Sequence, residues 1–167
     1  EMNEADGILL HDFDPAFAPD GRLVFASTRG NISGDSARRG PSRTPASMAP
    51  NSNIYVLDGG NVRQLTFLLN QELAPNFMRD GRLMMTSEKR EPGFHQLALR
   101  RQNLDGGDYH PLYGQRESVG FASATEVVEL PAGNELAFIA GPLDATDGAG
   151  GVALVNRSIG PDQVGRS

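Results

Sequence analysis

Residues Asp14–Ser27 read DPAFAPDGRLVFAS, and sixty residues later Ala74–Ser87 read APNFMRDGRLMMTS. Pro15 matches Pro75, Phe17 matches Phe77, the Asp-Gly-Arg-Leu run begins again at Asp80, and Ser27 matches Ser87. A weaker third copy, VVELPAGNELAFIA at Val127–Ala140, keeps Leu130, a Gly133-Asn134 turn, Leu136 and Phe138. Such recurrence constrains the fold more than any composition. Each copy is one supersecondary unit that cannot bury its apolar faces alone, so the units must stack.

Each copy has a second half. IYVLDGGNVRQL at Ile54–Leu65 matches LALRRQNLDGGDYHPL at Leu97–Leu112 through Leu-Asp-Gly-Gly. Asp58 and Asp105 lie 47 residues apart, against 60 for Asp20 and Asp80, so the first copy holds 13 extra residues. They fall in 31–50, NISGDSARRGPSRTPASMAP, which has no hydrophobic period and is rich in Ser, Arg, Pro and Gly. This segment reads as a long loop.

The local signals specify a four-stranded antiparallel meander per copy. Asp20-Gly21 and Asp58-Gly59-Gly60 turn the chain, because glycine accepts positive φ without steric cost. Leu23–Ser27, Ile54–Leu57 and Val62–Thr66 supply strands in the first unit, after an inner strand ending at Phe17. The second unit follows as Leu73–Phe77, Leu83–Ser87, Gln96–Arg100 and Tyr109–Tyr113. The third follows as Thr125–Leu130, Leu136–Ile139 and Val152–Asn156, with its last strand weak or missing. Ile8–Leu10 reads as a strand left from an earlier unit. The fold class is therefore all-β: antiparallel four-stranded blades of a β-propeller, radially stacked.

Blades are expected at about 12–67, 72–114 and 122–160. A closed propeller takes about 4–8 blades, so about three imply either an incomplete segment of a larger one, the favoured reading, or an assembly of several copies. Its open ends are expected to expose Leu23, Phe25, Ile54, Val56, Leu136 and Phe138, and to self-associate.

Composition agrees with many tight turns: 20 Gly and 11 Pro in 167 residues argue against a helical bundle. The net charge of −6 offers nothing to a nucleic acid. Without cysteine there is no disulfide framework, thiol nucleophile or attached c-type haem. No apolar run reaches the roughly 18 residues of a membrane span, and the opening Glu-Met-Asn-Glu-Ala has no basic or apolar signal region, as expected either after removal of a signal peptide or for a piece of a longer chain.

The pattern FAPDGRLVFASTRG followed by NIYVLDGGNVRQLTF resembles the WD40-like (PD40) repeat of TolB-type β-propellers. DFDPAFAPDGRLVFAST is also similar to the propeller region of proteins related to the hydrazine synthase alpha subunit. These resemblances imply a propeller in a bacterial, periplasmic or otherwise extracytoplasmic setting. They leave two functional classes. One is a non-catalytic platform binding a protein or ligand. The other is an accessory propeller domain of a larger enzyme, either a haem redox enzyme or a prolyl-oligopeptidase-like hydrolase. The missing Cys-x-x-Cys-His means no haem site carries over.

Meander topology puts the loop before strand one and the loop after strand two on one face. That face collects His11, Asp12, Asp14, Arg29, the 31–50 segment, Lys89, Arg90, His95, Asp144 and Asp147. Long loops on rigid scaffolds are where binding concentrates. The candidate ligand- or partner-binding residues are therefore Asp12, Asp14, Arg29, Arg38, Arg39, Arg43 and His95. Arg38, Arg39 and Arg43 offer bidentate forks to an acidic partner. Asp12 and Asp14, two apart on an extended strand, offer ligands to a hard cation such as calcium. The structural alternative has Asp14 cap the turn before Pro15 and Asp12 bond a neighbouring blade. No cofactor is expected. No nucleophile elbow, P-loop or dinucleotide fingerprint occurs, so no catalytic residue is assigned. Arg22 and Arg82 recur at the same turn, which points to a scaffold role.

Overall fold

The computed structural model describes residues 3–5, 8–30, 40–41, 43, 51–91, 94–114, 119–142 and 148–158. Thirteen strands appear among them. A short hairpin of β1 (Asn3–Ala5) and β2 (Ile8–Leu10) precedes a four-stranded antiparallel sheet. That sheet runs in chain order through β3 (Asp12–Phe17), β4 (Leu23–Ser27), β5 (Asn53–Asp58) and β6 (Asn61–Gln64). A second meander follows: β7 (Glu72–Phe77), β8 (Leu83–Glu91), β9 (Phe94–Gln102) and β10 (His110–Tyr113). The third has β11 (Ser123–Glu129), β12 (Glu135–Gly141) and β13 (Gly151–Asn156).

A single parallel bridge, Ser123 to Leu97, ties the third meander to the second. A matching parallel bridge, Ser52 to Gln71, ties the first to the second. The junctions are thus built alike, as radial stacking of repeats requires. The result is an all-β, open, propeller-like arrangement without closure.

The repeated turns explain why the repeats read so clearly. Ala18 N–H donates to Arg22 O at 2.8 Å and Gly21 N–H to Ala18 O at 2.9 Å. Met78, Arg82 and Gly81 repeat both bonds at the same two distances. Gly21 and Gly81 take φ of 87° and 86°, the left-handed region that a side chain resists. Arg22 closes onto Asp20 through Nε at 2.9 Å, and Arg82 onto Asp80 likewise. The scaffold role expected of these arginines is a clamp on the turn.

The middle meander is buried on both faces. Leu83 and Met85 pack toward the first sheet with Val24, Ala26, Ile54 and Val56. Met84 and Leu99 pack toward the third with Leu136, Phe138 and Val155. This is why β8 opens on the unbroken apolar run Leu-Met-Met instead of alternating. The outer meanders bury one face each, and β13 alternates accordingly: Val155 is buried while Val152 and Leu154 are exposed.

Two expectations are corrected here. The open ends do not expose Ile54, Val56, Leu136 or Phe138, which all lie in the two cores. Strand parity decides it, since the opposite faces of the same strands carry the free apolar surface. Lys89, Arg90 and His95 are not loop residues either. β8 and β9 stay paired out to Glu91 opposite Phe94, so all three lie on strands. Among the described residues, no helix is long and apolar enough to cross a membrane.

Candidate functional site

Each inner strand carries a bulge at its middle. The register slips between Phe13 and Ala16, between Leu73 and Asn76, and between Thr125 and Val128. At each slip sits a non-glycine residue in the left-handed region: Asp14 (φ 51°), Ala74 (φ 50°) and Glu126 (φ 55°). Such backbone costs about 1–3 kcal/mol per residue and persists only where the surroundings impose it. Asp14 and Ala74 also precede prolines, which narrows their backbone freedom further.

The three bulges meet. Asp14 Oδ2 accepts a hydrogen bond from the Ala74 backbone N–H at 2.9 Å. Asp14 Oδ1 pairs with the Arg43 guanidinium, whose Nε donates to Glu126 Oε1 at 3.0 Å. One arginine from the connection between β4 and β5 thus bridges the inner strands of the first and third meanders. Burial works against the Arg43 charge, but Asp14 and Glu126 outweigh it and hold its pKa above the ordinary value. The Asp14 side chain is mostly buried and that of Glu126 half-exposed.

Asp12 belongs to a different cluster. Its carboxylate accepts from Arg29 Nη2 at 2.6 Å, and Arg29 Nε donates to Ser27 Oγ at 3.1 Å. The Arg29 guanidinium lies 5.3 Å from the ring centres of both Phe25 and Tyr55, which stack on each other. Partial burial raises the Asp12 pKa, but the Arg29 and Ser27 hydrogen bonds more than reverse this, so it lies below the usual carboxylate value.

Asp12 and Asp14 therefore do not converge on one cation. The bulge at Asp14 breaks the two-residue alternation that would have put both on one side. Their structural roles are also exchanged relative to expectation: Asp14 bonds the neighbouring meander, and Asp12 bonds within its own. No group of three metal-binding side chains occurs among the described residues. Arg43 engages carboxylates of its own chain. His95 is exposed opposite Arg90 in the β8–β9 hairpin. Arg38, Arg39, Asp144 and Asp147 lie outside the described residues.

Sequence reasoning missed Glu126. The third turn is one residue longer than the others: Leu130 N–H reaches Glu135 O, where Ala18 N–H reaches Arg22 O. Alignment on the turn therefore set Val127 against Asp14, one residue off. Aligning the inner strands separately would have found it.

Repeated turns, bulged inner strands and a two-sided core define an open propeller-like segment. No family model matches the chain, and no curated protein matches it. Among solved structures it is similar to Kuenenia stuttgartiensis hydrazine synthase, with a TM-score of 0.64 at 18% identity over 83% of this chain. The match spans 20% of the hydrazine synthase chain, about a fifth of its length. TolB from Acinetobacter baumannii gives a TM-score of 0.48 at 18% identity, covering 86% of this chain and 32% of that one. At 18% identity the likeness to hydrazine synthase is one of fold.

Proposed function

We propose that this chain is a non-catalytic propeller segment serving as a binding platform, with the 31–50 segment as its recognition element. The observation that carries this reading is the Arg43 bridge. It ties the inserted segment to two inner strands at once, so a rigid scaffold holds one point within a long insertion. Arg38 and Arg39 lie five and four residues before that anchor and suit an acidic protein partner or anionic ligand. Asp12, Arg29 and, from the paired β8–β9 hairpin, His95 complete the proposed face. The TolB-type repeat in Phe17–Phe67 supports a bacterial, extracytoplasmic setting.

A photo-crosslinking residue at Arg38 or Arg39, compared with one at Asp105 on the opposite turn, tests this in cells. The reading expects one discrete adduct from positions 38 and 39, absent from 105. Charge reversal of the remaining arginine should abolish it. Equal adducts from all three positions, or none, would reject it.

The second class, an accessory propeller of a larger enzyme, is favoured by one fact. Most of this chain overlays on a small part of the hydrazine synthase chain. Flanking sequence carrying Cys-x-x-Cys-His, or a Ser/His/Asp domain, would establish that class.

A further inference from the structure

A cavity of about 410 Å³ opens between the second and third meanders, on the side of the Asp-Gly turns. Three arginines line it. Arg82 comes from the turn before β8, Arg101 from β9, and Arg157 from just after β13. Asn134 and Ser158 add neutral polar groups, and Met78 and Leu112 an apolar wall. No carboxylate is among the described lining residues.

The carboxylates sit beside the guanidiniums and hold them. Asp80 holds Arg82, and Asp108 Oδ2 lies 3.2 Å from Arg101 Nη1. Glu129, whose side chain is almost wholly buried, holds Arg157 Nη1 at 2.8 Å. Asn134 Oδ1 accepts from Arg157 Nη2 at 3.3 Å. A guanidinium has five N–H donors, so these contacts leave donors on all three. Arg101 Nη1 is shut off from solvent, and its ion pair with Asp108 Oδ2 lies outside hydrogen-bond geometry. A well-aligned anion oxygen would complete it.

The arrangement resembles what a phosphate group requires: several pre-positioned forks, partly shielded from water, with an apolar wall beside them. Each guanidinium is balanced by one carboxylate, so what the cavity gathers is spare N–H donors and not net positive charge. Asp80 reports their proximity. Its pKa is lowered chiefly by the Arg82 hydrogen bond, and the Arg157 charge adds to this.

We propose that this cavity is a binding site for a small phosphate monoester, with Arg82, Arg101 and Arg157 holding the phosphate and Met78 and Leu112 its organic body. Arg43 is not among the residues that line it, and the site does not depend on the platform reading.

Isothermal titration of the whole chain with phenyl phosphate and with inorganic phosphate, at matched ionic strength, tests the proposal. The expected result is saturable one-to-one binding, tighter for phenyl phosphate. Arg101→Gln should weaken it at least about tenfold, the loss of a charge-assisted bond worth about 1.4 kcal/mol or more. Ser158→Trp, at an exposed rim position, should block the cavity, with circular dichroism checking that the fold is kept. Absence of saturation in the millimolar range, or unchanged affinity in both variants, would overturn it.

Discussion

Asp14 accepts a hydrogen bond from the backbone of Ala74, its own counterpart sixty residues on. Both residues occupy the left-handed bulge of their inner strand. Asp14 is the one of the pair with a side chain that can reach across. The repeat thus supplies the geometry twice, and one carboxylate joins the copies.

This bond is testable. Asp14→Ala strands the buried Ala74 N–H and removes one partner of Arg43, so it should cost about 1–3 kcal/mol. Asp14→Asn keeps an acceptor for Ala74 and should cost less. Urea unfolding of the two variants checks the order. Equal losses would mean that the charge on Arg43, and not the Ala74 bond, holds the junction.

Much of the fold was legible because its turns are written in residues with narrow conformational meaning. Asp20-Gly21 and Asp80-Gly81 fixed two hairpins, and the inner and outer parity of Leu-Met-Met followed once stacking was known. The bulges were not legible. Ala74 is not a residue whose chemistry announces positive φ, Asp14 signals it only weakly, and both precede proline, which argues for extended backbone. The candidate site suffered accordingly, since a bulge decides which way Asp12 and Asp14 face. The arginine-lined cavity was hidden for another reason. Arg82, Arg101 and Arg157 belong to three separate turns or strands, and only the packing of two meanders brings them together.

Glu72, the counterpart of Asp12 in the second meander, is fully buried. Tyr109 Oη donates to its Oε1 at 2.6 Å. Burial pushes the Glu72 pKa above its ordinary 4.5, against the pull of its hydrogen bonds. A raised carboxyl pKa means that the folded state holds its proton longer than the unfolded chain. Stability should therefore be highest below about pH 4.5 as far as this group is concerned, and fall as pH rises toward the folded-state value. The slope is at most about 1.4 kcal/mol per pH unit. Glu72→Gln cannot titrate, so its unfolding free energy should lose this fall. Denaturation at a series of pH values, read as the difference between the two proteins, measures it. A difference constant with pH would show that Glu72 is not held protonated.

Glu129 is clamped from two meanders. Arg79 backbone N–H donates to Oε2 at 2.7 Å, and Arg157 pairs with Oε1. Glu129→Gln leaves one acceptor for two donors and should cost roughly 1–3 kcal/mol. Both guanidiniums retain some solvent access, which keeps the loss below that of a sealed ion pair. Thermal unfolding should shift down, and hydrogen exchange should quicken first at the β11–β12 turn. An unchanged melting temperature would remove Glu129 from the junction's energetics.

The last prediction concerns the two free faces. In each meander the position of Leu23, Leu83 and Leu136 faces the preceding unit, and that of Val24, Met84 and Ala137 faces the following one. The first meander therefore presents an unmatched preceding face, where Leu23, Leu57 and Val62 line a groove of about 350 Å³. The third presents an unmatched following face, with Val152 77% and Leu154 60% exposed. These are the two halves of a junction that the chain already makes twice. They are complementary and not identical, so association through them is head-to-tail, and rings form if the rotation closes. Burying one such side chain contributes about 1.5–3 kcal/mol, so several together favour assembly. Sedimentation velocity across a range of concentrations should show the isolated chain associating. Val152→Glu with Leu154→Glu should block growth at one end, and Leu57→Glu at the other. A mixture of the two variants should then recover heterodimers and nothing larger, because each retains one intact face. A wild-type chain that stays monomeric throughout and unfolds in one cooperative step would mean that three meanders suffice as a folded unit and that the free faces do not pair.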